Sequence, residues 1–162
     1  MGVKYSEEAL EAIRKSQDLD LIVPIAQGLC SSYVGTGRYD KVVEIIPGII
    51  NLLEKKEREL DFFSMPVNPY SQFCAYCCMS TGFLGNFEEG QIFLEKSLRH
   101  AVRIDDLRTL GIIEMFFGIF LRTKGDWKSA IEHFQHSIKY TEKANYLAVL
   151  AWGWAFLGHA YS

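Results

Sequence analysis

Three tetrapeptides, Thr36-Gly37-Arg38-Tyr39, Leu84-Gly85-Asn86-Phe87 and Lys124-Gly125-Asp126-Trp127, each set a glycine two residues before an aromatic ring. Glycine can leave a helix with positive φ, and the polar residue after it can cap the helix that follows. Small or apolar residues then recur at i, i+4 and i+7: Val42, Ile46 and Ile49; Gly90, Leu94 and Ser97; Ala130, Phe134 and Ser137. That spacing describes one face of a helix, so each turn joins two helices into a hairpin. Seven positions before each turn glycine stands a small residue, Cys30, Cys78 and Gly118, which lets the two helices of the hairpin approach closely. Punctuation of this kind confines the chain to an all-α fold.

The same spacing extends to both ends. Ala9, Leu10, Ile13 and Ser16 match Ala130, Ile131, Phe134 and Ser137, and Gly158 fills the small-residue slot of a fourth unit. The pattern predicts about eight helices, over roughly 6–17, 20–35, 38–60, 69–83, 87–103, 106–123, 127–143 and 146–161. Met65-Pro66-Val67-Asn68-Pro69 is the clear interruption, because the residue before a proline is disfavoured in helix. Pro47 should kink the third helix. No Gly/Ser-rich linker splits the chain, so residues 1–162 are expected to form one domain.

Trp154, Leu157, Gly158 and Tyr161 spell W-x-x-L-G-x-x-Y, and a second good match runs from Phe117 to Ser137. On these residues the chain resembles the tetratricopeptide repeat family over nearly its whole length. The resemblance implies an α-α superhelix, a right-handed solenoid of antiparallel helix pairs, in which each pair buries its apolar side against the next. It further implies that the W-x-x-L-G-x-x-Y helix lacks its partner, so that the sequence is a stretch of a longer array or multidomain protein. Turn glycines lie 48 and then 40 residues apart, longer than the family's standard period. That lengthening resembles the arrays of bacterial signalling proteins, such as nucleotide cyclases with an ATPase segment and large transcriptional activators of the maltose-regulon type.

Composition narrows the partners. A formal charge of −3, with no concentrated basic face in the sequence, argues against nucleic acid. Leu110–Leu121 and Leu147–Gly158, the longest apolar stretches, fall short of the ~18 to 20 residues that cross a bilayer, and no basic, then apolar leader opens the sequence. A cytoplasmic protein without membrane contact is expected.

Chemistry-bearing residues have structural explanations. Cys74, Cys77 and Cys78 have C-x-x-C spacing, yet they align with Trp154, Leu157 and Gly158, and Cys30 lies in the small-residue slot, so all four read as buried packing residues. His133 and His136 are three apart, but Ile131 and Phe134 claim the buried face, and two ligands alone make a poor metal site. No metal or cofactor is therefore expected, and the two histidines should face solvent. Glu54 and Arg58 have the i, i+4 spacing of a helix-surface pair. Neither a phosphate loop, a G-x-S-x-G elbow nor a nucleophile–base pair is recognisable, so no catalytic activity is expected of this segment.

In the tetratricopeptide family the first helix of each pair lines the concave face. By alignment that face takes Gln27, Ser31 and Val34; Gln72, Ala75, Met79 and Phe83; Ile112, Met115, Ile119 and Arg122; and Ala155 and His159. The Lys and Asn clamp with which some members hold a chaperone tail is absent, since Gln27, Ala75 and Met115 stand in its place. The resemblance thus implies a non-catalytic scaffold binding a peptide or helix in a mostly apolar groove. As a regulatory module of a larger signalling protein, it would take that ligand from the same chain. Periodicity leaves two outcomes for Met79, Phe83, Met115 and Ile119, an open trough or a face filled by neighbouring helices. Trp152, Trp154, Phe156, Leu157 and Tyr161 put enough apolar surface on the last helix to predict either end-to-end self-association or docking of this helix as a cap.

Overall fold

The computed structural model describes residues 18–161 together with Glu8 and Glu11; apart from those two, the helix expected over 6–17 lies outside the described residues. Among the described residues there are seven helices and no strand: α1 (Leu19–Gly35), α2 (Tyr39–Lys55), α3 (Pro69–Phe83), α4 (Phe87–Ile104), α5 (Leu107–Lys124), α6 (Trp127–Lys143) and α7 (Leu147–Tyr161). None is long and apolar enough to cross a membrane.

The turn glycines behave as their positions require. Gly37, Gly85 and Gly125 have φ of 71°, 83° and 90°. In each case the next N–H reaches back to close the helix: Arg38 to the Tyr33 carbonyl (2.8 Å), Asn86 to Thr81 (2.8 Å) and Asp126 to Leu121 (2.9 Å). Side chains then start the following helix, with Asn86 accepting from the Glu89 N–H and Asp126 from the Ser129 N–H. Asp106 does the same for α5 through the Thr109 N–H at 2.8 Å.

The helix expected over 38–60 ends earlier, at Lys55. Glu57 takes a left-handed φ of 55°, and the Arg58 N–H bonds the Leu53 carbonyl at 3.0 Å, the same closure made without glycine. That conformation costs a non-glycine residue roughly 1–2 kcal/mol. Arg58 beyond it bonds Asp20 (3.0 Å) and Asp61 (2.6 Å) rather than Glu54. Glu54 instead accepts from the Tyr70 hydroxyl at 2.6 Å and pairs with Lys96 at 2.5 Å. Asn68 fastens the far end of the connection: it caps α3 through the Ser71 N–H, and its amide donates to the Glu59 and Asp61 carbonyls.

Each helix packs on the next in sequence, and α1, α3, α5 and α7 also form a continuous row, α1 on α3, α3 on α5 and α5 on α7. Among the described residues α2, α4 and α6 make no such contacts with one another. Burial follows that arrangement. Every residue of α3 from Pro69 to Gly82 is buried, whereas α4 buries a stripe of Gly90, Leu94, Ser97, His100 and Ala101. Close approach depends on missing side chains: a Cβ on Gly118 would run into the Phe134 ring, and one on Gly82 would lie 2.7 Å from Phe120 Cδ2. The small-residue slot inferred from the sequence is thus a socket for an aromatic ring of the opposing helix at Gly118.

Candidate functional site

Side chains of α1, α3, α5 and α7, with Tyr39 at the start of α2, line an open hollow of about 410 Å³. Its floor is Met79, Met115 and Ile119, which are 3%, 1% and 5% exposed. Its rims are Phe83, 40% exposed and stacked on Tyr39 with ring centroids 4.5 Å apart, and Trp152, 56% exposed. The alternative left open by periodicity resolves position by position: the methionines and Ile119 belong to the core, and the aromatic rims reach solvent.

Among the described residues Arg122 is the one charged residue in this lining, and its guanidinium lies 5.4 Å from the centre of the Phe156 ring. A polar corner is made by the Tyr76 hydroxyl, 3.1 Å from Ser31 Oγ and 3.5 Å from Gln27 Nε2. Burial pushes the Tyr76 phenol up, with Ser31 opposing, so the group stays a neutral hydroxyl. Gln27 Oε1 is buried without a hydrogen-bond partner among the described residues.

Of the residues expected on this face, Ser31, Val34, Met79, Phe83, Met115, Ile119, Arg122 and Ala155 come together, and Gln27 adjoins them through Tyr76. Four do not. Gln72 and Ala75 of α3 and Ile112 of α5 are buried outside the lining, and His159 lies on the exposed side of α7. Gly35, Tyr39, Tyr76, Phe116, Trp152 and Phe156 were missed. Trp152 had a signal, since it lies three residues before Ala155 on the face already assigned.

Elsewhere the structure revises the expectation for His133. His133 does not face solvent: its ring stacks on Phe117 at 3.8 Å, and its Nδ1 lies 2.5 Å from Glu114 Oε2. A second hollow of about 400 Å³ gathers Lys96, Arg99 and Arg103 beside His100, a local basic cluster tempered by Glu95 in the same lining and by Glu54 on Lys96. His100 Nδ1 is 2.9 Å from Ser71 Oγ, and burial, helped by Arg103, pushes the imidazole pKa down. All four cysteines are buried and free, and burial pushes the Cys74 thiol up to about 12, far from the reactive thiolate.

No protein-family model matches the chain, and neither does any curated protein sequence.

Proposed function

We propose that this chain is a protein-interaction module of the tetratricopeptide-repeat type, a right-handed superhelix of antiparallel helix pairs that binds a peptide or helix on its concave face and performs no chemistry of its own. The row of α1, α3, α5 and α7, touching in order while α2, α4 and α6 stay apart, supports that stacking among the described residues. The observation that carries the function is the hollow itself, which crosses four helices, is lined almost wholly by apolar side chains and holds a single cation.

Such a surface suits a segment with two or three apolar anchors at i, i+3, i+4 or i+7 spacing and an acidic group directed to Arg122. Phe83 and Trp152 supply rigid aromatic walls, the side chains most often responsible for binding energy. The test is a peptide-display selection with the wild-type protein as bait, followed by titration against Phe83→Glu, Trp152→Glu and Arg122→Glu. Enriched peptides should be apolar with an acidic residue, and each variant should weaken them at least tenfold. Failure to enrich any peptide, or equal binding by all four proteins, would overturn the reading.

A further inference from the structure

Glu114 stands where the repeat register places a packing side chain. It precedes Gly118 by four residues, as Trp154 precedes Gly158 and Cys74 precedes Cys78. Its side chain is only 9% exposed, and a carboxylate so enclosed requires a cation or hydrogen-bond donors. Among the described residues its ion pairs are with two imidazoles of α6 and with no Lys or Arg. His133 Nδ1 lies 2.5 Å and His136 Nδ1 3.8 Å from the same oxygen, Oε2. One ligand atom from each of the three residues lies within 4.8 Å of the other two.

We propose that Glu114, His133 and His136 bind a divalent first-row transition-metal ion, with zinc the best match. Two imidazole nitrogens and one carboxylate oxygen suit zinc, nickel, cobalt or copper and disfavour the all-oxygen ions magnesium and calcium. Metal–ligand bonds of about 2.0–2.2 Å set the donors about 3.0–3.5 Å apart, so one separation opens and the other closes slightly. His136 has the freedom to turn, with 57% of its side chain exposed. His133 is held flat by Phe117, which keeps one ligand preset. Both rings bind as neutral imidazoles, and any proton they carry passes to solvent. A fourth position on the exposed His136 side is open to water. The ion would clamp α5 to α6, and none of its ligands lines the apolar hollow, so the site is independent of peptide binding there.

The test uses protein free of any affinity tag, stripped with chelator, dialysed, and titrated with zinc chloride by calorimetry and with cobalt chloride by visible absorption. One ion per chain should bind, giving cobalt d–d bands without a thiolate charge-transfer band. Saturating zinc should raise the wild-type Tm. His136→Ala alters an exposed side chain and should fold; it should weaken zinc binding at least tenfold and abolish the Tm shift, as should Glu114→Gln. Absence of saturable binding, unchanged affinity in His136→Ala, or a thiolate charge-transfer band that moves the ion to the cysteines would overturn the assignment.

Discussion

Forty positions apart in one register, α5 and α7 set Ile112 against Trp152, Gly118 against Gly158 and Leu121 against Tyr161. In α5 these residues are buried; in α7 Trp152 is 56% and Tyr161 67% exposed, and a Cβ on Gly158 would meet nothing within 4 Å. Yet α7 is the more apolar of the two. Neighbours account for the contrast, because among the described residues α5 is flanked by α3, α4, α6 and α7, whereas α7 packs on α5 and α6 alone. Composition gives a helix of this kind the capacity for burial, and only adjoining helices realise it.

The hardest blow to both helices should come from Phe134→Ala. The ring is fully buried, fills the Gly118 socket and stacks on Phe156 of α7 at 5.6 Å. Its loss should cost about 3–5 kcal/mol in urea unfolding; a cost under ~1 kcal/mol would mean that the hairpin closes without it. Next in size, Gly118→Leu should overpack the socket and cost about 1–3 kcal/mol, while Gly158→Leu should stay within ~0.5 kcal/mol of wild type. Equal effects at the two glycines would erase the distinction between the enclosed and the open helix.

The uncovered side of α7 should also show in solution. Leu147, Trp152, Trp154 and Tyr161 are all more than half exposed, so sedimentation should give a mass that rises with concentration, reduced by Trp154→Gln. A concentration-independent monomer would count against association through this helix. The smallest expected effect lies around α3, where Glu54 of α2, Tyr70 of α3 and Lys96 of α4 form a polar tie. Burial raises the Glu54 pKa, but Lys96 and Tyr70 together lower it further, and the net shift is downward. The unfolded chain therefore takes up this proton first, so the tie contributes fully above the ordinary carboxylate pKa of ~4.3 and is lost as pH falls through the depressed folded value. Being partly exposed and screened, it should be worth about 0–1 kcal/mol. A small Tm difference between wild type and Lys96→Met at pH 7 should vanish in acid; a difference that persists there would assign the effect to packing of the lysine stem.

Local signals were legible and remote ones were not. Gly37, Gly85 and Gly125 fixed the hairpin turns because a left-handed residue after a helix has a sequence preference of its own. Glu57 adopts that conformation without the preference, so the early end of α2 left no mark in the sequence. The face of α3 and α5 was assigned through the resemblance to a repeat family, but the depth of Met79 and Met115 depends on neighbours, which local spacing does not encode. Gln72 and His159 lie apart from the hollow for the same reason. Glu114 and His133 are 19 residues apart, on opposite arms of a hairpin, and no local spacing links them.

Among the described residues α2, α4 and α6 lean on the row of α1, α3, α5 and α7 without touching one another, so bending between successive hairpins would strain the α2–α3, α4–α5 and α6–α7 contacts and no contact among α2, α4 and α6 themselves. Flexion of the molecule would then fall in the seams between successive hairpins. If the hollow takes a guest as proposed, one wedged between Phe83 and Trp152 would be gripped or released by that bending, and pulling on the two ends would alter its residence time.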